Sequence, residues 1–364
     1  MQRSLTKKYT LLKRFRARPF KEAKKVGTAL IELYKKKVNR AWKIAFWATC
    51  ILVFMIHAYR FTNPLLNHDA LYNYYSSQHM VESGRWLLSL ACGFSSFFNL
   101  PWLIGVISII FIALTSVVIV DVFKLKNPVL IVIVGGLLVS FPAITDTFNF
   151  EYTADGYMIA MFLAALSVRL SVFEEGRIRR LFLSAVCICC TCAIYQAYVS
   201  FALILALSYF IVEIFDGKRS AKDCGRWIGR QILIYAAALA AYYAIWRLSL
   251  RLAHVEATTY QGVDQLGQMS LQSIKQAAVS SLVSFARFFL EWNFVEHGLT
   301  AWNLLNILFV LFACFVVIVS IYKSKVYKRG LQFVLGAIAG GAIPFAAFIW
   351  HFASSGVSYR TRML

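Results

Sequence analysis

The residues able to do acid–base or anion chemistry gather in a few short polar segments. These are Asn67-His68-Asp69, Glu82-Ser83-Gly84-Arg85, the stretch from Asp146 to Asp155, the pair Tyr195-Gln196, and the C-terminal Arg360 and Arg362. A positioned carboxylate takes the proton of a hydroxyl as that hydroxyl attacks. A guanidinium binds phosphate oxygens in a bidentate way and meets charge developing on a leaving group. Asp69 is the candidate for the first task, and Asp155 and Glu151 are further candidate carboxylates on the same face. Arg85, Arg360 and Arg362 are candidates for the second, with Lys275 and Arg287 behind them. Carboxylates, aromatic rings and arginines at one membrane face suit a lipid-linked substrate. Each residue also has a plainer reading. Asp69 and Asp155 are good helix N-caps. Arg85 has Glu82 as a local partner, Asp146 and Glu151 read as solvated loop charges, and Gln196 as a side chain that satisfies turn backbone.

The elements that must hold these groups are membrane helices. The 364 residues are 60% hydrophobic and only 15% charged, with a mean hydropathy of +0.64. An ordinary soluble domain is nearer half apolar and a quarter charged. Apolar runs long enough to cross lipid give about nine spans, near 44–62, 100–121, 128–144, 156–173, 181–195, 197–215, 228–249, 300–321 and 331–350. Tyr195-Gln196 reads as a tight turn that divides 181–215 into two spans. The fold class is thus an all-α polytopic membrane protein, with a basic juxtamembrane segment 1–43 and a membrane domain 44–364. A stretch from Leu271 to Leu290 has helical apolar spacing and reads as a helix in the interface plane.

Charge placement orients the bundle. With the basic N-terminus in the cytoplasm, that side also receives Lys124, Lys126, Arg177, Arg179, Arg180, Lys218, Arg219, Lys222, Arg226, Arg230 and the cations from Lys323 to Arg329. The opposite side has longer loops and few cations, the pattern of cytoplasmic positive charge. The candidate acids all fall on that outer side. The net charge of +21 is concentrated before the first span, from Arg3 to Lys43. It points to anionic lipid headgroups as partners and not to nucleic acid. The first span reads as an uncleaved signal anchor. The cluster Cys187, Cys189, Cys190 and Cys192 lies in an apolar run, where free cysteine packs as a small hydrophobe. Gly336 and Gly340 form a GxxxG suited to close helix packing. No phosphate loop of the form GxxxxGK(S/T), no GxGxxG, no Asp-x-Asp pair and no Gly-x-Ser-x-Gly elbow occurs. Nucleotide-driven transport and nucleotide-sugar chemistry therefore lack support.

The stretch from Asn67 to Gln196 resembles the type II glucosyltransferase family of bacterial and phage membrane proteins that decorate O-antigen. The resemblance rests on the Asp69 segment after the first span, Gly84-Arg85-Trp86, the segment Phe150 to Asp155 entering a helix, and Ala193-Ile194-Tyr195-Gln196-Ala197-Tyr198. It implies a GT-C-like multi-span bundle with its site on the periplasmic face of the bacterial inner membrane. It also implies glucosyl transfer from a polyprenyl-phosphate donor to a lipopolysaccharide-type glycan acceptor. Family members often carry two adjacent acids after the first span; here His68 replaces the first and leaves Asp69 as the clear catalytic carboxylate. Members also tend to be longer, so further helices after Leu364 are expected, or a shortened member. Asp69 is read as the general base and Arg85, Tyr195, Gln196, His68, Arg360 and Arg362 as substrate-binding groups. Asp155 or Glu151 would serve as a nucleophile if transfer proceeds by double displacement. No cofactor is expected, and a divalent metal stays open. From the residues alone, an O-antigen polymerase, another lipid-linked sugar transferase and a transporter of a lipid-linked sugar remain alternatives. The oligomeric state is likewise open.

Overall fold

The computed structural model describes residues 38–65, 67–72, 76, 78–98, 100–173, 177–290 and 301–354. Within them the regular elements are all helical: α1 Arg40–Thr62, α2 His68–Tyr72, α3 Leu88–Phe98, α4 Pro101–Val122, α5 Pro128–Ser140, α6 Pro142–Thr147, α7 Ala154–Val172, α8 Arg177–Tyr195, α9 Tyr198–Phe215, α10 Ala221–Ala253, α11 Leu271–Leu290, α12 Ala301–Ser324 and α13 Leu331–Ala347. Seven are long and apolar enough to cross a membrane, and α5 and α13 are shorter apolar helices. The chain is an all-α polytopic membrane protein.

The expected spans match these helices closely, with two instructive differences. The span expected at 128–144 breaks after Ser140, because Pro142 lacks the N–H that would continue the helix and biases Phe141 toward extended backbone; Phe141 sits at φ −62°, ψ 131°. The span expected at 228–249 is the middle of a 33-residue helix, α10. At 1.5 Å per residue it is about 50 Å long, against about 30 Å of hydrocarbon. Its N-terminus is set by a capping box between Ser220 and Asp223, which satisfies two otherwise orphaned donors. Its second half carries Tyr242 and Trp246 to the candidate site.

The bundle is organised around α7, which packs against α4, α8 and α9, while α1 packs against α4 and α5. Small residues on α7, including Ala160, Ala164, Ala165, Ser167 and Ser171, are fully or nearly fully buried. They let neighbouring backbones approach, which is how helices gain contact in lipid, where no hydrophobic drive operates between them. At Gly105 of α4 an added methyl would lie 2.5 Å from the Phe61 ring of α1, so this pair of helices depends on the missing side chain. Cys189 and Cys192 are buried and all described cysteines are free. Of the GxxxG pair, Gly336 faces Ile214 of α9, with 3.5 Å available to a methyl, while Gly340 has nothing within 4 Å.

The two ends of the bundle differ. At the basic end Asp121 of α4 accepts from Arg169 Nε of α7 at 2.6 Å and from the Trp42 indole of α1 at 3.0 Å. Arg329 donates to the carbonyls of Ile214 and Ser324, and Arg219 lies over the rings of Tyr209 and Trp227. At the opposite end the acidic segments meet.

Candidate functional site

The site is built on a loop, residues 78–87, that enters α3. Four consecutive carbonyls of this loop are held by donors from distant parts of the chain, two of them on α10. The Trp246 indole of α10 donates to Val81 at 2.7 Å. The Thr258 backbone N–H donates to Glu82 at 3.2 Å. Gln196 Nε2, between α8 and α9, donates to Ser83 at 2.8 Å. The Tyr242 hydroxyl of α10 donates to Gly84 at 3.1 Å. Loop carbonyls at the edge of a membrane are costly unless paired, and here each finds its donor. Gly84 adopts φ +82°, and an added Cβ would collide with the Tyr242 hydroxyl. Only glycine suits that combination of backbone and close approach. The Leu87 N–H closes the platform by donating to Ala193 O at the end of α8, at 2.9 Å.

Arg85 leaves this platform toward two tyrosines. Its Nη1 lies 3.4 Å from the Tyr157 hydroxyl of α7, and its guanidinium lies over the Tyr195 ring at 4.9 Å. Tyr157 and Tyr195 stack with centroids 4.2 Å apart. Glu82 pairs with His79 at 3.0 Å, and Arg85 sits in a cation–π and phenol setting. Tyr195 and Gln196 both join the site from the α8–α9 corner. Gln196 does satisfy backbone, as its plainer reading held, but the backbone is that of the distant loop. Its own carbonyl accepts from the Trp350 indole at 2.8 Å.

Asp69 lies in α2, and its side chain is about a third exposed (34%). It is not the cap of that helix: Asn67 Oδ1 accepts from the Ala70 N–H at 2.8 Å. The Asp69 carboxylate is therefore not used as a cap, and its partner is His68 Nε2 at 3.0 Å. Gln78 ties this segment to the turn that leads into α7. Its amide donates to the Asp69 backbone carbonyl, and its Oε1 accepts from the Tyr152 hydroxyl at 2.7 Å. Asp69, Arg85 and Tyr157 all lie within electrostatic reach of that phenol. Gln78 and His79 both have left-handed backbone, φ 54° and 51°, which costs a non-glycine residue roughly 1 kcal/mol or more.

The other two candidate acids are buried. Asp155 has no exposed surface. Its carboxylate accepts from Ser95 Oγ of α3 and from the Gly156 N–H, which ties α3 to the first turn of α7. Thr153 occupies the N-cap position there, so Asp155 is not the cap. Glu151 is only 3% exposed, which corrects its reading as a solvated loop charge. Neither of its oxygens has a hydrogen-bond partner of good geometry. Arg60 supplies the opposing charge, and the Leu65 backbone lies in reach. Arg60 itself is held by the Phe148 and Asn149 carbonyls at 2.6 and 3.1 Å. Asp146 is partly exposed and accepts from Asn149.

Three residues that the structure brings to this candidate site were not singled out from sequence: Gln78, Tyr152 and Tyr157. Left-handed backbone at a glutamine has no local sequence mark, and the Tyr152–Gln78 bond joins residues 74 apart. An open cleft of about 430 Å³ flanks the loop, lined by His79, Glu82, Val255, Glu256, Thr258 and Thr259. Among the described residues no group of three or more His, Cys, Asp or Glu side chains gathers to hold a metal. Arg360, Arg362 and the basic segment up to residue 37 lie outside the described residues.

A family model described as Glucosyl transferase GtrII matches residues 58–363. No curated protein and no solved structure matches the chain.

Proposed function

The chain belongs to the GtrII glucosyl transferase family, and from that premise we propose that it transfers glucose from a polyprenyl-phosphate donor to a glycan on the outer face of a bacterial inner membrane. The observation that carries the proposal is that one accessible carboxylate, Asp69, and an arginine, Arg85, both lie within electrostatic reach of Tyr152, the arginine on a loop fixed through four consecutive carbonyls. The cations of the opposite end support a cytoplasmic N-terminus and an outward site.

In the proposed reaction an acceptor hydroxyl attacks the anomeric carbon of the donor sugar. Asp69 takes the hydroxyl proton as the new C–O bond forms. The bond from the anomeric carbon to the phosphate oxygen breaks, and polyprenyl phosphate leaves with the electron pair. Arg85 meets the charge that develops on the phosphate. The Tyr157–Tyr195 stack holds Arg85 in place. Direct displacement inverts the anomeric centre. The burial of Asp155 and Glu151 argues for this course, since a double displacement would need one of them to reach that carbon as a nucleophile. His79, Glu82, Glu256 and the two threonines of the flanking cleft suit the hydroxyls of an incoming glycan.

The test supplies the purified full chain with an O-antigen polysaccharide and either polyprenyl-phosphate glucose or a nucleotide-linked glucose. Transfer from the lipid-linked donor alone is expected. Transfer from the nucleotide sugar alone would refute the proposed donor class.

A further inference from the structure

At the basic end, α1, α4 and the turn between α4 and α5 enclose a groove of about 550 Å³ that plays no part in the proposed reaction. Its cations are Arg40, Lys124 and Lys126. Arg40 and Lys126 make no ion pair among the described residues, while the Lys124 ammonium lies 5.9 Å from the Phe173 ring centroid. The groove also contains one carboxylate, Asp121, but its charge is already met: Arg169 Nε lies 2.6 Å from one oxygen and the Trp42 indole 3.0 Å from the other. Two helices begin at the same place. Asn39 caps α1 by accepting from the Trp42 N–H, and Asn127 caps α5 by accepting from the Val129 N–H. Their amino ends add partial positive charge to that of the side chains. Below the cations the walls turn apolar, with Ile44, Val120, Leu125 and Pro128. Lys124 is held there in left-handed backbone, φ 53°, by a helix end in which the Leu125 N–H returns to Val120 O.

We propose that this groove is a discrete site for an anionic glycerophospholipid, the phosphate held by Arg40, Lys124 and Lys126 and the glycerol and upper acyl carbons by the apolar wall. Charge complementarity selects the headgroup, and the apolar floor distinguishes a lipid from a free anion. The site differs from a general attraction of the basic N-terminal segment, because it uses a formed concavity between three elements. It also stands apart from the transfer reaction, at the other end of the bundle.

The experiment uses the full chain purified in an uncharged detergent. Native mass spectrometry follows binding of dioleoyl phosphatidylglycerol, dioleoyl phosphatidylcholine and polyprenyl phosphate, with inorganic phosphate as competitor. One phosphatidylglycerol is expected to stay bound at concentrations where phosphatidylcholine does not. Each cation near the surface contributes about a fivefold factor in affinity, so Arg40→Gln/Lys124→Gln/Lys126→Gln is expected to weaken that lipid about a hundredfold. The control Lys323→Gln/Lys325→Gln/Lys328→Gln, on the same face, is expected to keep it. Equal loss in both triple variants would overturn the site in favour of diffuse attraction. Equal binding of phosphatidylcholine, displacement by millimolar inorganic phosphate, or a preference for polyprenyl phosphate would each overturn it as well. Unchanged glucosyl transfer by the Arg40/Lys124/Lys126 variant in detergent keeps this test separate from that of the reaction.

Discussion

Asp69, Asp155 and Glu151 are chemically alike, and their surroundings separate them. One is accessible beside His68, one is consumed by Ser95 and Gly156, and one is buried without a good hydrogen bond. Sequence located all three at one membrane face, because acids are sparse in so apolar a chain. It could not rank them, since burial depends on how α3 packs on α7. Asp155→Asn leaves an amide where a carboxylate accepted two hydrogen bonds, and such charge-assisted bonds contribute roughly 1.5–3 kcal/mol each. It is expected to lower thermal stability more than Asp69→Asn does, measured by fluorescence-monitored melting in detergent. Gln78→Ala removes the bridge between the Asp69 carbonyl and the Tyr152 hydroxyl. It is expected to lower the turnover rate about tenfold, as misplacement of a reacting group does, with little change in melting temperature. An unchanged rate would remove Gln78 from the positioning network.

The elements were largely legible because their signals are local. The split at Tyr195-Gln196, the helix at Leu271–Leu290 and most span limits follow from hydrophobic length, apolar spacing and turn residues. What sequence could not show is the platform under Arg85, because the four donors to its carbonyls come from residues 113 to 176 positions away in the chain. Tyr242→Phe removes the donor to Gly84 O and a contact with Gln196, a loss of about 1 kcal/mol. It is expected to raise KM for the lipid donor through a looser Arg85, and kinetics at saturating donor would check this. The end of α10 offers a stability test free of the site. His254 is exposed in left-handed backbone, φ 53°, where glycine is the usual C-terminal residue. His254→Gly is expected to stabilise the fold by about 1 kcal/mol, seen as a higher melting temperature. A pH effect belongs to the last turn of the described chain. His351 is buried against Ser281 of α11 at 3.2 Å, and burial pushes its pKa down to about 4. The unfolded chain takes this proton near pH 6.5, so stability should fall as pH drops from about 6.5 towards 4. His351→Gln should flatten that fall; an identical pH profile would contradict it.

At the scale of the molecule, the separation of a basic end from an acidic end joins sequence and structure. Loop charge predicted it, and alternation of the helices realises it: the α1, α4 and α7 ends meet at Asp121, while at the other end Arg85 lies against Tyr157 of α7 and Tyr195 of α8. Cysteines placed at Asn63 and Lys126 should report the arrangement in intact cells treated with a membrane-impermeant thiol reagent. Labelling at position 63 but not at 126 is expected, and the reverse would invert the bundle. The central claim, that the accessible carboxylate at the acidic end performs sugar transfer, has a direct measurement. Purified parent, Asp69→Asn and Asp155→Asn proteins, matched for folded amount, would receive polyprenyl-phosphate glucose and an O-antigen acceptor, and initial transfer rates would be compared. The account predicts that Asp69→Asn loses at least about a hundredfold in rate, the contribution of a positioned general base, while its fold stays intact. Asp69→Asn turning over at the parental rate would contradict it.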